Sequence, residues 1–374
     1  MSSKLFSPFT LGALALPNRI AMAPMTRCRA TNPAIAPTPM MVEYYGLRAD
    51  AGLIVSEGIP VSRQARGYAY TPGLYSAEQV AGWRAVTSEV HKAGGRIFAQ
   101  LWHCGRISHG SLREDNAPPV GPSTLAAKGK SLALDRATGQ PALTQCEAPR
   151  ALTTAEVKGV IGEFVQAAQN AIAAGFDGVE IHGANGYLLD QFRCPYLNDR
   201  KDEYGGSLEN RCRLHLEIAR EVAAAIGKER VGIRLSPHGQ ANDMKPDPEP
   251  MTTYAYLAGE LQKIGLVYLH LYDQSMSWVH DPASELLKML RATFTHALML
   301  CGGFDAAKSE AALAAGSGDL IAIGKPFISN PDLVLRLRQG VEIAPWDSKT
   351  FYLGGHSGYL DYPTFFRVGR PSGR

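Results

Sequence analysis

GVEIHG, at residues 178–183, is a short apolar run that stops at a glycine, and the polar, turn-prone segment ANGY follows it at 184–187. Seven further runs in the chain of 374 residues share this design: RIAMAP (19–24), GLIVSEG (52–58), RIFAQL (96–101), VGIRLSP (231–237), LVYLHLYD (266–273), ALMLCGG (297–303) and DLIAIGKP (319–326). Near-continuous Val, Ile and Leu over so few residues suits parallel strands buried on both faces. The segments between them read as helices. Thr38-Pro39 opens one in the N-cap/N1 arrangement, and Thr153-Thr154-Ala155-Glu156 opens another close to a capping box. Between Ser207 and Ile226, the apolar Leu208, Leu214, Ile218, Val222 and Ile226 recur at roughly helical spacing.

About eight strand–helix repeats point to an α/β protein of the closed (β/α)8, or TIM barrel, type, with an open doubly wound sheet as the alternative. No GxGxxG follows any of the strands, so a Rossmann dinucleotide site has no support. Residues 5–18 precede the first strand and read as a small N-terminal hairpin on the barrel floor. Residues 102–152, after the third strand, are rich in Gly, Pro and Ser and read as a capping insertion. The tail, 341–374, contains FYLGGHSGYLDYPTF, whose aromatic density implies packing on the body. The expected organisation is one domain over 1–374 carrying these additions.

Composition narrows the class of function. A net charge of +3, from 38 basic and 35 acidic residues, provides no footprint for nucleic acid or a membrane surface. No apolar run approaches a membrane span, and the N-terminus, MSSKLFSPFTLG, lacks the apolar core of a signal peptide, so a cytoplasmic protein is expected. The six cysteines are scattered without a CxxC, which argues against a disulfide framework or a structural zinc.

Chemistry in such a barrel gathers at the C-terminal strand ends. There the chain offers Pro24-Met25-Thr26, Glu57-Gly58, Gln100-Leu101-Trp102-His103, His182 to Tyr187, Arg234, Gly302-Gly303 and Gly324-Lys325. These are amides, an arginine, aromatics and late glycines, with neither a carboxylate pair for hydrolysis nor clustered ligands for a catalytic metal. Backbone N–H groups after strands seven and eight are the usual phosphate cradle of this architecture. Gly302-Gly303 reads equally well as a tight turn, Lys325 as a solvated lysine and His182 as a satisfied core histidine. Arg234, inside an apolar strand, is harder to dismiss, because a buried guanidinium needs a partner or an anion. A metal- or sugar-phosphate-handling lyase or isomerase would need a Schiff-base lysine or clustered ligands at the strand ends, and none stands there.

HGANGYLLDQF (182–192) followed by DEYGGSLENR (202–211) resembles the flavin-dependent Old Yellow Enzyme family of ene-reductases. So do APMTR (23–27), QLWHCGR (100–106), GIRLSP (232–237), CGGF (301–304) and GYLDYPTF (358–365). The likeness runs in order from about residue 4 to residue 366 and implies an FMN-containing barrel. It implies an NAD(P)H-dependent flavin oxidoreductase that reduces the activated C=C bond of α,β-unsaturated carbonyl compounds by a ping-pong mechanism, with nitro compounds and nitrate esters as further acceptors. Carried across, Pro24, Met25, Thr26, Gly58, Gln100 and Arg234 would line a non-covalent flavin, with His182 beside it. Gly302, Gly303, Gly324 and Lys325 would hold its phosphate. His182 and Asn185 would grip the substrate oxygen and Tyr187 would donate a proton. Tyr68, Trp102, Phe351 and Tyr352 would shape the pocket. NADPH or NADH is the implied hydride donor, electron-poor alkenes the substrates, and a monomer or homodimer the assembly. A flavin-binding protein without turnover is the rival reading, and Tyr187, a proton donor with no part in holding FMN, stands against it. One departure concerns the phosphate side. The family usually has arginine before Pro-Phe, whereas this chain has Lys325, which lacks the bidentate fork and implies weaker FMN retention.

Overall fold

A computed structural model of the chain describes residues 3–365. Eight parallel strands close into a barrel in chain order. They are β1 (Ile20–Met22), β2 (Leu53–Pro60), β3 (Ile97–Trp102), β4 (Gly178–His182), β5 (Val231–Leu235), β6 (Tyr268–Tyr272), β7 (Ala297–Cys301) and β8 (Leu320–Ile323). The barrel is the expected one, and each strand lies within its apolar run, apart from the last residue or two of β2 and β3. Every residue of β2, β3, β4, β5, β7 and β8 is buried, as strands enclosed by helices outside and packed side chains inside must be.

The helices obey their start signals, with one exception. Thr153 and Glu156 form the complete capping box of Thr154–Ala173. Ser207 caps Leu208–Ile226, whose Leu214, Ile218 and Val222 are fully buried, and truncating Ile218 to alanine would cost roughly 2–5 kcal/mol. Thr38 occupies the N-cap of Pro39–Gly46, but its hydroxyl makes no capping bond, and the proline at the helix start needs none from its own nitrogen.

Phe9–Leu11 and Leu14–Leu16 form the antiparallel hairpin. Its Leu11 and Leu16 pack against Leu53, Phe98, Val267, Ala297 and Leu320, at or near the starts of barrel strands, and so plug the floor. After β3, Lys130–Leu134 pairs with Pro141–Gln145, and Val120–Gly121 with Arg150–Ala151. This insertion sets Ile107, Ala127 and Cys146 against Tyr68 and Tyr187. It therefore backs one wall of the barrel mouth. The tail packs on the body as far as it is described: Tyr359 stacks on Tyr44 with ring centroids 4.1 Å apart. The expectation for the tail beyond residue 365 falls outside the described residues. Among the described residues no helix is long and apolar enough to cross a membrane.

Candidate active site

Above the C-terminal strand ends lies a cavity of about 740 Å³. Pro24, Met25 and Thr26 leave β1 into its wall, Gln100 and Trp102 reach it from β3, and His182 from β4. Asn185 and Tyr187, Arg234, Gly302 with Gly303, Gly324 with Lys325, and Phe351 with Tyr352 complete the expected set. Fifteen of the seventeen residues singled out from sequence thus border one space.

The turn after β4 is built to present three side chains together. Asn185 has φ +60° and Gly186 φ +74°, and a Cβ on Gly186 would come within 2.6 Å of the Ala241 carbonyl. The Asn185 N–H donates to Ser236 Oγ at 2.8 Å, and its carbonyl accepts from Asn242 Nδ2 at 2.8 Å. With its backbone held on both sides, the Asn185 side chain is left over, and its Oδ1 is buried without a partner. His182 Nδ1 is likewise unpartnered. Burial, and then the charges of Arg234 and His270, drive the His182 pKa well down, so the imidazole is neutral. The Tyr187 ring stands edge-on to His182 and to Trp102, with centroids 5.0 and 4.8 Å apart. Its hydroxyl lies 3.1 Å from that of Tyr68, and burial holds the phenol protonated.

Arg234 is buried at the cavity floor with its Nε unpartnered. Its guanidinium lies over the Tyr272 ring, 4.6 Å from the centroid, and Nη2 donates weakly to Cys301 Sγ at 3.7 Å. An unpaired buried guanidinium is costly unless something anionic or electron-rich meets it. Burial tends to raise the Cys301 thiol, but His270 and Arg234 outweigh that and bring it down. On the far side of the cavity, Gly303 (φ +71°) lies beneath the Met276 side chain. Lys325 forms no ion pair among the described residues; its nearest aromatic is Trp346, whose ring centroid is 6.0 Å from Nζ.

Phe351 and Tyr352 reach the cavity on the tail, which is fastened by two buried arginines. Arg27 donates to the carbonyls of Phe351 at 2.8 Å and Gly358 at 2.7 Å. Arg29 donates to those of Gly355 at 2.9 Å, Thr350 at 3.0 Å and Ser357 at 3.0 Å.

Two expected residues stand elsewhere. Gly58 does not reach the cavity but lies against Trp102, where a Cβ would come 2.5 Å from the indole. It stands where the register of β2 against β3 shifts. Tyr68 stands behind Tyr187, stacked on Trp102 at 5.4 Å. Cavity residues not anticipated from sequence include Tyr272, Met276, Cys301 and Trp346. Glu180 and His270, which lie below it, were also missed. Both are ionisable residues inside apolar strands, the same signal that singled out Arg234.

A closed (β/α)8 barrel with a neutral His/Asn/Tyr group over a buried arginine, and glycines at its late strand ends, defines a class of cofactor-assisted oxidoreductases. The sequence model of the NADH:flavin oxidoreductase / NADH oxidase family matches residues 4–343, and the chain belongs to that family. It is 40% identical to 12-oxophytodienoate reductase 7 of Oryza sativa subsp. japonica, across 99% of this chain and 96% of that protein. It is 41% identical to a chanoclavine-I aldehyde reductase of Penicillium roqueforti (strain FM164), across 96% of each. Among solved structures, morphinone reductase in complex with tetrahydroNAD superposes with a TM-score of 0.93 at 44% identity, covering 98% of this chain and 99% of that one. The old yellow enzyme homologue from Zymomonas mobilis gives 0.89 at 38%, covering 96% and 99%. The chain is an NAD(P)H-dependent flavin oxidoreductase whose cofactor is FMN.

Proposed function

We propose that this protein is a cytoplasmic ene-reductase that reduces the activated C=C bond of α,β-unsaturated carbonyl compounds, and of nitro compounds or nitrate esters, in a ping-pong cycle with NADPH or NADH. The observation that carries the reading is the meeting of His182, Asn185 and Tyr187 at one mouth above Arg234. The cavity fits FMN on its own terms: a guanidinium at the floor whose Nε is unpartnered, an amide from Gln100 and a glycine-and-lysine end. Pro24, Met25, Thr26, Gln100 and Arg234, with His182 beside them, would hold the ring system. Gly302, Gly303, Gly324 and Lys325 would hold the phosphate. When bound, FMN supplies reversible two-electron hydride chemistry.

The protein's own part is to polarise and to protonate. Neutral His182 offers one N–H and Asn185 its amide N–H to a substrate oxygen. In a site shielded from water, those donors stabilise the enolate-like charge that develops as the alkene is reduced. Tyr187 keeps its proton at neutral pH, and a phenol suits protonation of a strongly basic enolate carbon. The Tyr68 hydroxyl, at 3.1 Å, then donates to the phenolate left behind. Trp102 walls the space between them. Arg234 would hold the ring system beside a fixed positive charge, which would favour the reduced, anionic form of the cofactor.

An anaerobic visible spectrum tests the reading. The purified yellow protein is expected to bleach on adding NADPH and to regain its colour on adding 2-cyclohexenone. Bleaching without recovery would overturn the alkene as acceptor.

A further inference from the structure

Glu180 lies directly across from Gln100, because β3 and β4 pair in parallel with those two residues as register partners. It is fully buried and does not border the cavity. Three donors surround its carboxylate: Gln100 Nε2 at 2.8 Å, the Tyr268 hydroxyl at 3.0 Å and His270 Nδ1 at 2.8 Å. Burial opposes ionisation, but His270, Arg234 and the Gln100 amide together outweigh it, and the group stays a carboxylate. Carboxylates only accept hydrogen bonds. The Gln100 side chain therefore has one orientation, with nitrogen toward Glu180 and Oε1 facing away from it with no protein donor among the described residues. Without that anchor a glutamine can turn over and exchange acceptor for donor.

We propose that Glu180 is a positioning residue that acts through Gln100. It fixes the amide so that the cavity meets a carbonyl oxygen beside one remaining N–H, and so selects a heterocycle edge carrying an N–H donor next to a carbonyl acceptor. This deepens the FMN reading above and rests on it. His270, drawn up in pKa against its burial by Glu180, is the counter-charge that keeps the carboxylate in place.

The test is a double-mutant cycle on the holoenzyme with Glu180→Gln, Gln100→Leu and the pair. FMN release on dilution is followed by flavin fluorescence, and the flavin absorption maximum and midpoint potential are recorded. A glutamine at 180 can donate as well as accept, so Gln100 is freed to turn. Glu180→Gln alone is expected to weaken FMN retention about tenfold, the scale of one hydrogen bond to a charged group, and to move the absorption maximum. In the Gln100→Leu background the same substitution is expected to change neither. Equal losses in both backgrounds, or a Glu180→Gln protein indistinguishable from wild type, would overturn the proposal. Glu180→Asp keeps the charge but not the reach and is expected to fall between the two, which preserves the test if Glu180→Gln folds poorly. A wild-type protein that neither carries nor takes up FMN would sink the cofactor reading itself, a separate result.

Discussion

Tyr187 holds its proton because burial disfavours the phenolate, and its hydroxyl has the Tyr68 hydroxyl within 3.1 Å. Replacing it with phenylalanine removes the acid but leaves the cavity shape. Turnover of a weakly activated enone should fall by roughly 10²–10⁴, with bleaching by NADPH retained. Stopped-flow measurement of the two half-reactions separates these, and an unchanged rate of recolouring would remove Tyr187 from the role. Lys325 poses a different residue-scale question. Its ammonium has no ion pair among the described residues and is a point charge where a guanidinium would offer a fork. Lys325→Arg is expected to tighten FMN several-fold, on the scale of one added charge-assisted bond. An unchanged dissociation constant would contradict it.

At the scale of elements, the tail strap over residues 350–358 brings Phe351 and Tyr352 to the mouth through bonds from Arg27 and Arg29. Arg29→Gln removes the donors to the carbonyls of Thr350, Phe351, Gly355 and Ser357 and should loosen the strap. The expected result is a several-fold rise in KM for the alkene with FMN retention unchanged, since the strap places substrate-facing residues; steady-state kinetics beside fluorescence titration would show it. Equal loss of FMN would mean that the strap supports the whole cavity. The eight strands were legible because enclosure on both faces demands unbroken apolar runs. Strand-end residues such as Gln100, His182 and Arg234 were legible with them, because barrel geometry sends strand ends to the mouth. Met276 and Trp346 were not, since they stand on connecting and tail segments whose paths no strand register sets. Arg27 was visible in APMTR, but apart from the Tyr44 hydroxyl its guanidinium bonds backbone carbonyls more than 300 positions away, and a carbonyl leaves no mark in a sequence.

Two buried histidines weaken the whole molecule as pH falls. His103 and His215 are fully buried, and burial lowers them to about 3 and about 4. Both are neutral when folded near neutrality, whereas the unfolded chain takes up protons near 6.5. Between those values the unfolded state binds more protons, so their contribution is intact above about pH 6.5 and is lost as pH falls through the folded values. Each contributes about 3 kcal/mol of that loss by pH 4, an order-of-magnitude figure from the shifts. Desolvation raises buried Glu57 to about 7 and Asp50 to about 6, and both work in the opposite direction over the same range. The test is therefore a comparison: from pH 7 to pH 4 the change in Tm should be less destabilising in His215→Gln than in wild type. An identical pH dependence in the two proteins would mean that the His215 ring is not as enclosed as its surroundings indicate.

The strap has one more consequence, for a chain still being made. Arg27 and Arg29 are translated about 320 residues before the carbonyls of residues 350–358 that take most of their hydrogen bonds. Until then most donors of the two guanidiniums after the first strand lack those acceptors, and the barrel seam beside them, β8 against β1, cannot close before residues 320–323 are made. The mouth is therefore sealed only after residues 350–358 have been translated. A chain stopped before residue 350 would keep most of its hydrophobic interior and still lack a finished rim.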